Sequence, residues 1–217
     1  MNAKLTNLKA IGFDLDNTLY SRDQAVNRWI RSVFGDDEAT ANAGIAYDNS
    51  GFIPRPDFYS WIAERVDWAE GWKDAEARFQ REVMSMIEID TAIHEAVERL
   101  GKRYKLGILT NGDSGFQLKK FSSLGIDRHF DSSHVFATGD IGHHKPDQRA
   151  FQPLIDSFGL APEDVLFVGD NPENDIEGAA ALGMKTCWIQ LFPEHSCGIE
   201  PDLTIDSVAQ LPALLPD

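Results

Sequence analysis

KAIGFDLDNT, residues 9–18, decides the fold: a short apolar run ends at Asp14, and a second acid, Asp16, follows two residues later. A run this short, bounded by polar residues, fits a buried strand and is too brief for a free-standing helix. Four further runs have the same character: KLGILT (105–110), HVFAT (134–138), DVLFVGD (164–170) and KTCWIQ (185–190). DLTI (202–205) adds a candidate edge strand.

Between these runs, 91–101, 114–124, 147–159 and 174–183 carry helical patterns, with Gly101 and Gly183 as C-terminal stops and Pro146 at a helix start. Strands alternating with helices predict an α/β protein with a doubly wound parallel sheet. Residues 21–90 break the alternation. Apolar residues recur there at helical spacing: Trp29, Ile30 and Val33; Phe58, Ile62, Val66 and Ala69; Phe79, Val83, Met86 and Ile87. The expected organisation is a core of residues 1–20 and 91–217 interrupted by a small helical domain at 21–90. Within that insertion, 43–55 (AGIAYDNSGFIPR) reads as an irregular loop.

At 42% hydrophobic and 25% charged, the 217 residues have the composition of an ordinary soluble globular protein. The formal net charge of -15 argues against nucleic acid or an anionic membrane surface as a partner. An anion site on such a chain needs a local source of positive potential: a metal ion, a buried lysine or helix N-termini. No apolar run has the length of a signal peptide core or a membrane span, and a cytoplasmic protein is expected, monomeric or homodimeric. Cys187 and Cys197 fit neither a disulfide framework nor a zinc spacing, and Cys187 reads as a buried thiol.

The reactive side chains fall at strand ends. Asp14 and Asp16 close the first run, Thr110 and Asn111 the second, Lys145 follows the third, and Asp170 and Asp175 follow the fourth. Each signal alone is a common turn or helix start. If the strands are parallel neighbours, all of these groups point at one crevice outside the carboxyl ends of the sheet. Several carboxylates there repel one another unless a cation neutralises them. Oxygen ligands without His or Cys suit magnesium, which keeps positions for water and substrate phosphate. A phosphate monoester completes such a shell, with Lys145 and Thr110 on the phosphoryl oxygens away from the metal.

DLDNT (14–18), LTNG (109–112), HKPD (144–147) and GDNPENDIEGA (169–179) resemble the four motifs of the haloacid-dehalogenase-like hydrolase superfamily, and 21–90 is similar to the cap that many members insert after the first motif. The resemblance implies a phosphatase that uses Mg2+. Asp14 is then the nucleophile, and Asp16 the acid that protonates the leaving alkoxide and the base that activates water. Thr110 and the Asn111 backbone position the phosphoryl group, and Lys145 stabilises its charge. Magnesium is then held by the Asp14 carboxylate, the Asp16 main-chain carbonyl and Asp170, with Asp175 orienting the shell. A halide leaves without a proton, so an acid at position 16 favours phosphatase over dehalogenase chemistry.

The expected partner is a small-molecule phosphate ester. Tyr20 and KTCWI (185–189) are similar to members acting on pyrimidine or other nucleoside monophosphates, while phosphoglycolate phosphatases share the same plan. Tyr47 and Phe52 are candidate substrate contacts, with packing of the insertion as the competing role. A sugar-phosphate phosphatase, a phosphomutase that excludes water, a dehalogenase and a non-catalytic binding protein are the alternative functions. His143 and His144 read as exposed loop histidines, and Trp29, Trp61, Trp68 and Trp72 as core of the insertion.

Overall fold

The structure is a computed structural model and describes residues 5–66, 68, 71–192 and 195–216. Six strands form one sheet: β1 (Ala10–Phe13), β2 (Lys105–Thr110), β3 (Val135–Ala137), β4 (Val165–Gly169), β5 (Lys185–Ile189) and β6 (Leu203–Ile205). The order is β3-β2-β1-β4-β5-β6, and every pairing is parallel. This is the doubly wound α/β sheet expected from the alternating pattern, with DLTI as its parallel edge. The chain fills one side of β1 with β2 and β3, then crosses to place β4 on the other. That reversal puts the carboxyl ends of β1, β2 and β4 side by side, the position where open α/β sheets take their ligands.

Two compact units are present, one made of Met1–Tyr20 and Ile89–Asp217 and the other of Ser21–Glu88. The second unit holds α1 (Arg22–Phe34), α2 (Glu38–Asp48), α3 (Arg55–Ala63) and α4 (Trp72–Glu82). Its core is aromatic: Trp29 meets Phe79 edge-on at 5.1 Å, and Tyr59 packs on Phe79 at 5.6 Å. Trp29 is fully buried, but Trp72 is 42% exposed and so is not core. The expected loop at 43–55 is largely helix, since α2 runs through Tyr47 to Asp48 and ends on Asn49 in the left-handed conformation. Helix α3 stops at Ala63, short of the half-buried Val66, and the last position of that pattern, Ala69, lies outside the described residues.

The sheet-bearing unit carries α5 (Thr91–Gly101), α6 (Ser114–Ser123), the single turn α7 (Thr138–Ile141) and α8 (Gln148–Phe158). Helix α5 ends at Gly101, with Lys102 as its cap in the right-handed conformation, and Gly183 adopts positive φ. Helix α8 lies close against the sheet because Gly12 and Gly107, paired across β1 and β2, lack side chains. A Cβ on Gly12 would stand 2.7 Å from Leu154, and one on Gly107 would stand 2.6 Å from the same leucine. Asp147, not Pro146, caps α8, its side chain accepting from the Arg149 N–H. The helical pattern at 174–183 starts earlier and differently, as a π-helical turn over Pro172–Glu177 followed by one α turn. Among the described residues no helix is long and apolar enough to cross a membrane.

Candidate active site

Lys145 is at the centre of the strand-end cluster. It is 4% exposed, and its Nζ donates to Asp14 Oδ1 and to Asp175 Oδ1, each at 2.7 Å. Asp14 follows β1 directly, and its backbone N–H bonds to the Val168 carbonyl of β4. Asp175 reaches the sheet from the π-helical turn, where Oδ2 accepts from the Asn171 N–H at 3.0 Å. The wide turn and a side-chain-free Gly169 make room for it, because a Cβ on Gly169 would overlap the Asp175 carboxylate. Wide turns of this kind are frequent at functional sites.

Burial pushes the Asp14 carboxyl up to about 7; the Lys145 ammonium opposes this, while Asp175 and Asp16 add to it. Burial works to lower the Lys145 ammonium, but its two carboxylate partners outweigh it and hold the lysine above its ordinary range. Lys145 therefore stays charged. One oxygen from each of Asp14, Asp170 and Asp175 lies within 4.8 Å of the others. Lys145 offsets only one of three negative charges, and the donors are all hard oxygens. A divalent cation that favours oxygen ligands fits both properties.

Asp16 has a separate environment. Its oxygens accept from Lys120 Nζ at 2.5 and 2.6 Å, Oδ2 accepts from Gln117 Nε2 at 3.1 Å, and Oδ1 accepts from the Tyr20 hydroxyl. Its carboxylate thus faces Lys120 instead of joining the three clustered acids, so any contribution to a metal site comes from its main chain. The two acids of one strand end are wired to different lysines.

Thr110 ends β2 and is buried. Asn111 follows it, and its side chain grips the Lys145 backbone, accepting from the N–H at 2.9 Å and donating to the carbonyl at 3.0 Å. The next residue, Gly112, takes φ +126° and donates to Thr138 Oγ1, which also bonds His144 Nδ1 at 2.6 Å. His144 is therefore an exposed histidine with a defined buried partner rather than a free loop side chain. Tyr47 and Phe52 belong to the helical unit. Tyr47 stacks on Trp61 at 5.5 Å, and Phe52 is 44% exposed.

The sequence reading missed Lys120 and Gln117. Both are buried on α6, among Phe116 and Phe121, and a lysine at helical spacing from apolar neighbours was the available signal. Cys187 and Cys197 are both free thiols, and burial raises that of Cys187 well above its ordinary value.

A parallel sheet with acids and a lysine gathered at the ends of β1, β3 and β4 defines an α/β enzyme core whose chemistry sits at the topological reversal. The chain belongs to the haloacid dehalogenase-like hydrolases, whose family model matches residues 8–183. It is 30% identical over 227 residues to pyrimidine 5'-nucleotidase YjjG of Escherichia coli (strain K12), across 94% of this chain and 96% of that protein. A shorter match, 37% over 108 residues, joins it to phosphoserine phosphatase of Thermus thermophilus and spans 49% of this chain but only 42% of that protein. Among solved structures, the magnesium-bound HAD-hydrolase YfnB from Bacillus subtilis shares the fold, with a TM-score of 0.77 at 19% identity over 97% of this chain and 100% of that one.

Proposed function

We propose that this hydrolase is a magnesium-dependent phosphomonoesterase that forms a phospho-aspartyl intermediate on Asp14, with a nucleoside monophosphate as substrate. One observation carries the reading: Asp14 and Asp16, two residues apart, have separate partners and separate surroundings. Carboxylates whose environments differ in this way take different roles in one reaction. Asp14, held by Lys145 beside two further acids, is the nucleophile. Asp16, outside that cluster, is the acid and base.

In the first step an Asp14 oxygen bonds to phosphorus as the bond from phosphorus to the ester oxygen breaks, and Asp16 gives its proton to the departing alkoxide. In the second, Asp16 takes a proton from water as the water oxygen bonds to phosphorus and the Asp14–phosphorus bond breaks. Inorganic phosphate leaves, Asp14 is again a carboxylate and Asp16 again carries the proton that the first step needs. Lys145 and Thr110 orient the phosphoryl oxygens, and Asn111 fixes Lys145 by gripping its backbone. Asp14, the Asp16 carbonyl and Asp170 would hold a magnesium ion, with Asp175 orienting the shell, and the ion would supply further neutralisation of phosphoryl charge.

The 30% identity to a pyrimidine 5'-nucleotidase over nearly the whole of both chains supports the nucleotide substrate. The cap role of the helical unit and the recognition role of Tyr47 and Phe52 are part of the same proposal; Phe52, 44% exposed, is the more accessible of the two, while Tyr47 stacks on Trp61. The test is a panel of phosphate esters assayed for phosphate release with and without magnesium. A nucleoside monophosphate is expected to give the highest kcat/KM. Phosphoglycolate or a sugar phosphate outpacing every nucleotide would refute the substrate and spare the mechanism. Isomerised product without phosphate release would identify a mutase.

A further inference from the structure

We propose that Lys120 is a positioning residue for Asp16, the central member of a cradle with Gln117 and Tyr20 that aims the carboxyl at the ester oxygen and later at water. The inference rests on the phosphomonoesterase reading. Lys120 lies on α6 with 5% of its surface exposed, so its ammonium is withdrawn from solvent. Burying such a charge is unfavourable unless it is paired, and a lysine serving only solubility stays at the surface. Here the ammonium contacts both Asp16 oxygens, at 2.5 and 2.6 Å. Its approach is guided by the rings of Phe116, at 5.1 Å, and Tyr20, at 5.9 Å.

Gln117, one helical turn before Lys120, places the cradle relative to the rest of the site. Its Nε2 donates to Asp16 Oδ2 at 3.1 Å and to the Asn111 carbonyl at 2.5 Å. Asn111 in turn holds the Lys145 backbone, and Lys145 holds Asp14. A continuous set of hydrogen bonds therefore fixes the acid against the nucleophile. An aspartate side chain has only two rotatable torsions. Contacts to both oxygens from Lys120, to one from Gln117 and to the other from Tyr20 determine both of them. Without the cradle the carboxyl rotates away from the reacting atoms, and misplacement of about 1 Å can cost roughly 10²-fold in rate.

The test compares an alkyl phosphate with nitrophenyl phosphate, whose leaving group needs little protonation. Lys120→Met keeps the apolar stem and removes the ammonium. With the alkyl ester it should lower kcat by about 30–100-fold while KM stays within about 3-fold. With nitrophenyl phosphate the first turnover should stay near the wild-type rate. Later turnovers should slow, because Asp16 also activates water, giving a burst of about one nitrophenolate per chain. Lys120→Arg should recover at least about 10-fold of the alkyl-ester loss. A purely structural role would lower the burst amplitude and depress both esters alike, and that result overturns the proposal. If Lys120→Met unfolds, Tyr20→Phe removes one cradle contact and should show the same split between esters, at about 3–10-fold. No split there overturns the proposal equally. A wild-type chain that releases phosphate beside a Lys120→Met chain of equal activity overturns the role of Lys120 alone. A wild-type chain that releases none from any ester overturns the phosphatase reading, and with it the role of Lys120.

Discussion

Asp14 occupies a position where an ionised carboxylate is unfavourable without a cation. Its carboxyl is raised to about 7 by burial, against an unfolded value of about 3.9. A raised carboxyl means that the folded chain binds the proton more tightly than the unfolded one. Ionising Asp14 therefore removes stability as pH climbs from about 4 to about 7 in chelator, and that loss persists above. A bound divalent cation reverses the effect by favouring the ionised form. Thermal melts in EDTA and in magnesium should thus diverge more at pH 8 than at pH 5, and Asp14→Asn should remove most of that pH dependence. The same substitution should lower turnover by at least about 10³-fold, since an amide is a poor nucleophile. Activity above a few per cent of wild type would remove Asp14 from the chemistry. Asp16→Asn should be as damaging with an alkyl ester, yet milder for the first turnover of nitrophenyl phosphate; equal losses in single-turnover assays would deny it the role of acid.

At the scale of elements, the ends of β1, β2 and β4 were legible because each apolar run stops at a polar residue that the parallel sheet then gathers. Helix α2 was not legible. ANAGIAYD has the Gly, Asn and Asp content of a loop, and its helix depends on tertiary packing: Gly44 is open so that Trp61 can lie against it, a Cβ there standing 3.0 Å from the indole. Lys120 and Gln117 were hidden for a related reason, because long polar side chains on a helix read as solvated until their burial is known. Asp48, at the end of α2, is likewise a polar residue with a buried role. It accepts two hydrogen bonds from Arg22 of α1, at 2.7 and 2.8 Å, and one from Arg55 of α3, at 2.9 Å. Burial acts to raise its carboxyl, but the two guanidiniums outweigh it and hold it below the usual range. Asp48→Ala removes two acceptor contacts from the largely buried Arg22, which keeps its longer pairing with Asp23 at 3.2 Å, and should destabilise the helical unit by about 1–3 kcal/mol, measured by denaturant unfolding. A loss within about 0.5 kcal/mol would show that the three-helix clasp contributes nothing beyond packing.

Over the whole molecule, a net charge of -15 acts on the two charged ligands of the proposed reaction with opposite sign. The field of the whole chain attracts a divalent cation and repels a phosphate dianion. Its reach depends on salt: the Debye length is about 30 Å at 0.01 M ionic strength and about 8 Å at 0.15 M. At low salt, charges across the protein act on the site; at high salt, only those beside it do. Apparent magnesium affinity should therefore fall by about 3–10-fold between these conditions, while kcat/KM for a dianionic ester at saturating magnesium should rise. Asp170→Asn separates the near field from the far. Asp170 is one of three acids whose oxygens gather within 4.8 Å, a distance shorter than either screening length. Removing its charge should weaken magnesium binding by nearly the same factor at both salt concentrations, leaving the slope with salt in place. Calorimetric titration of magnesium into both chains at the two ionic strengths tests this. A slope that disappears with Asp170 would mean that the local carboxylates, and not the distributed charge, set the salt dependence.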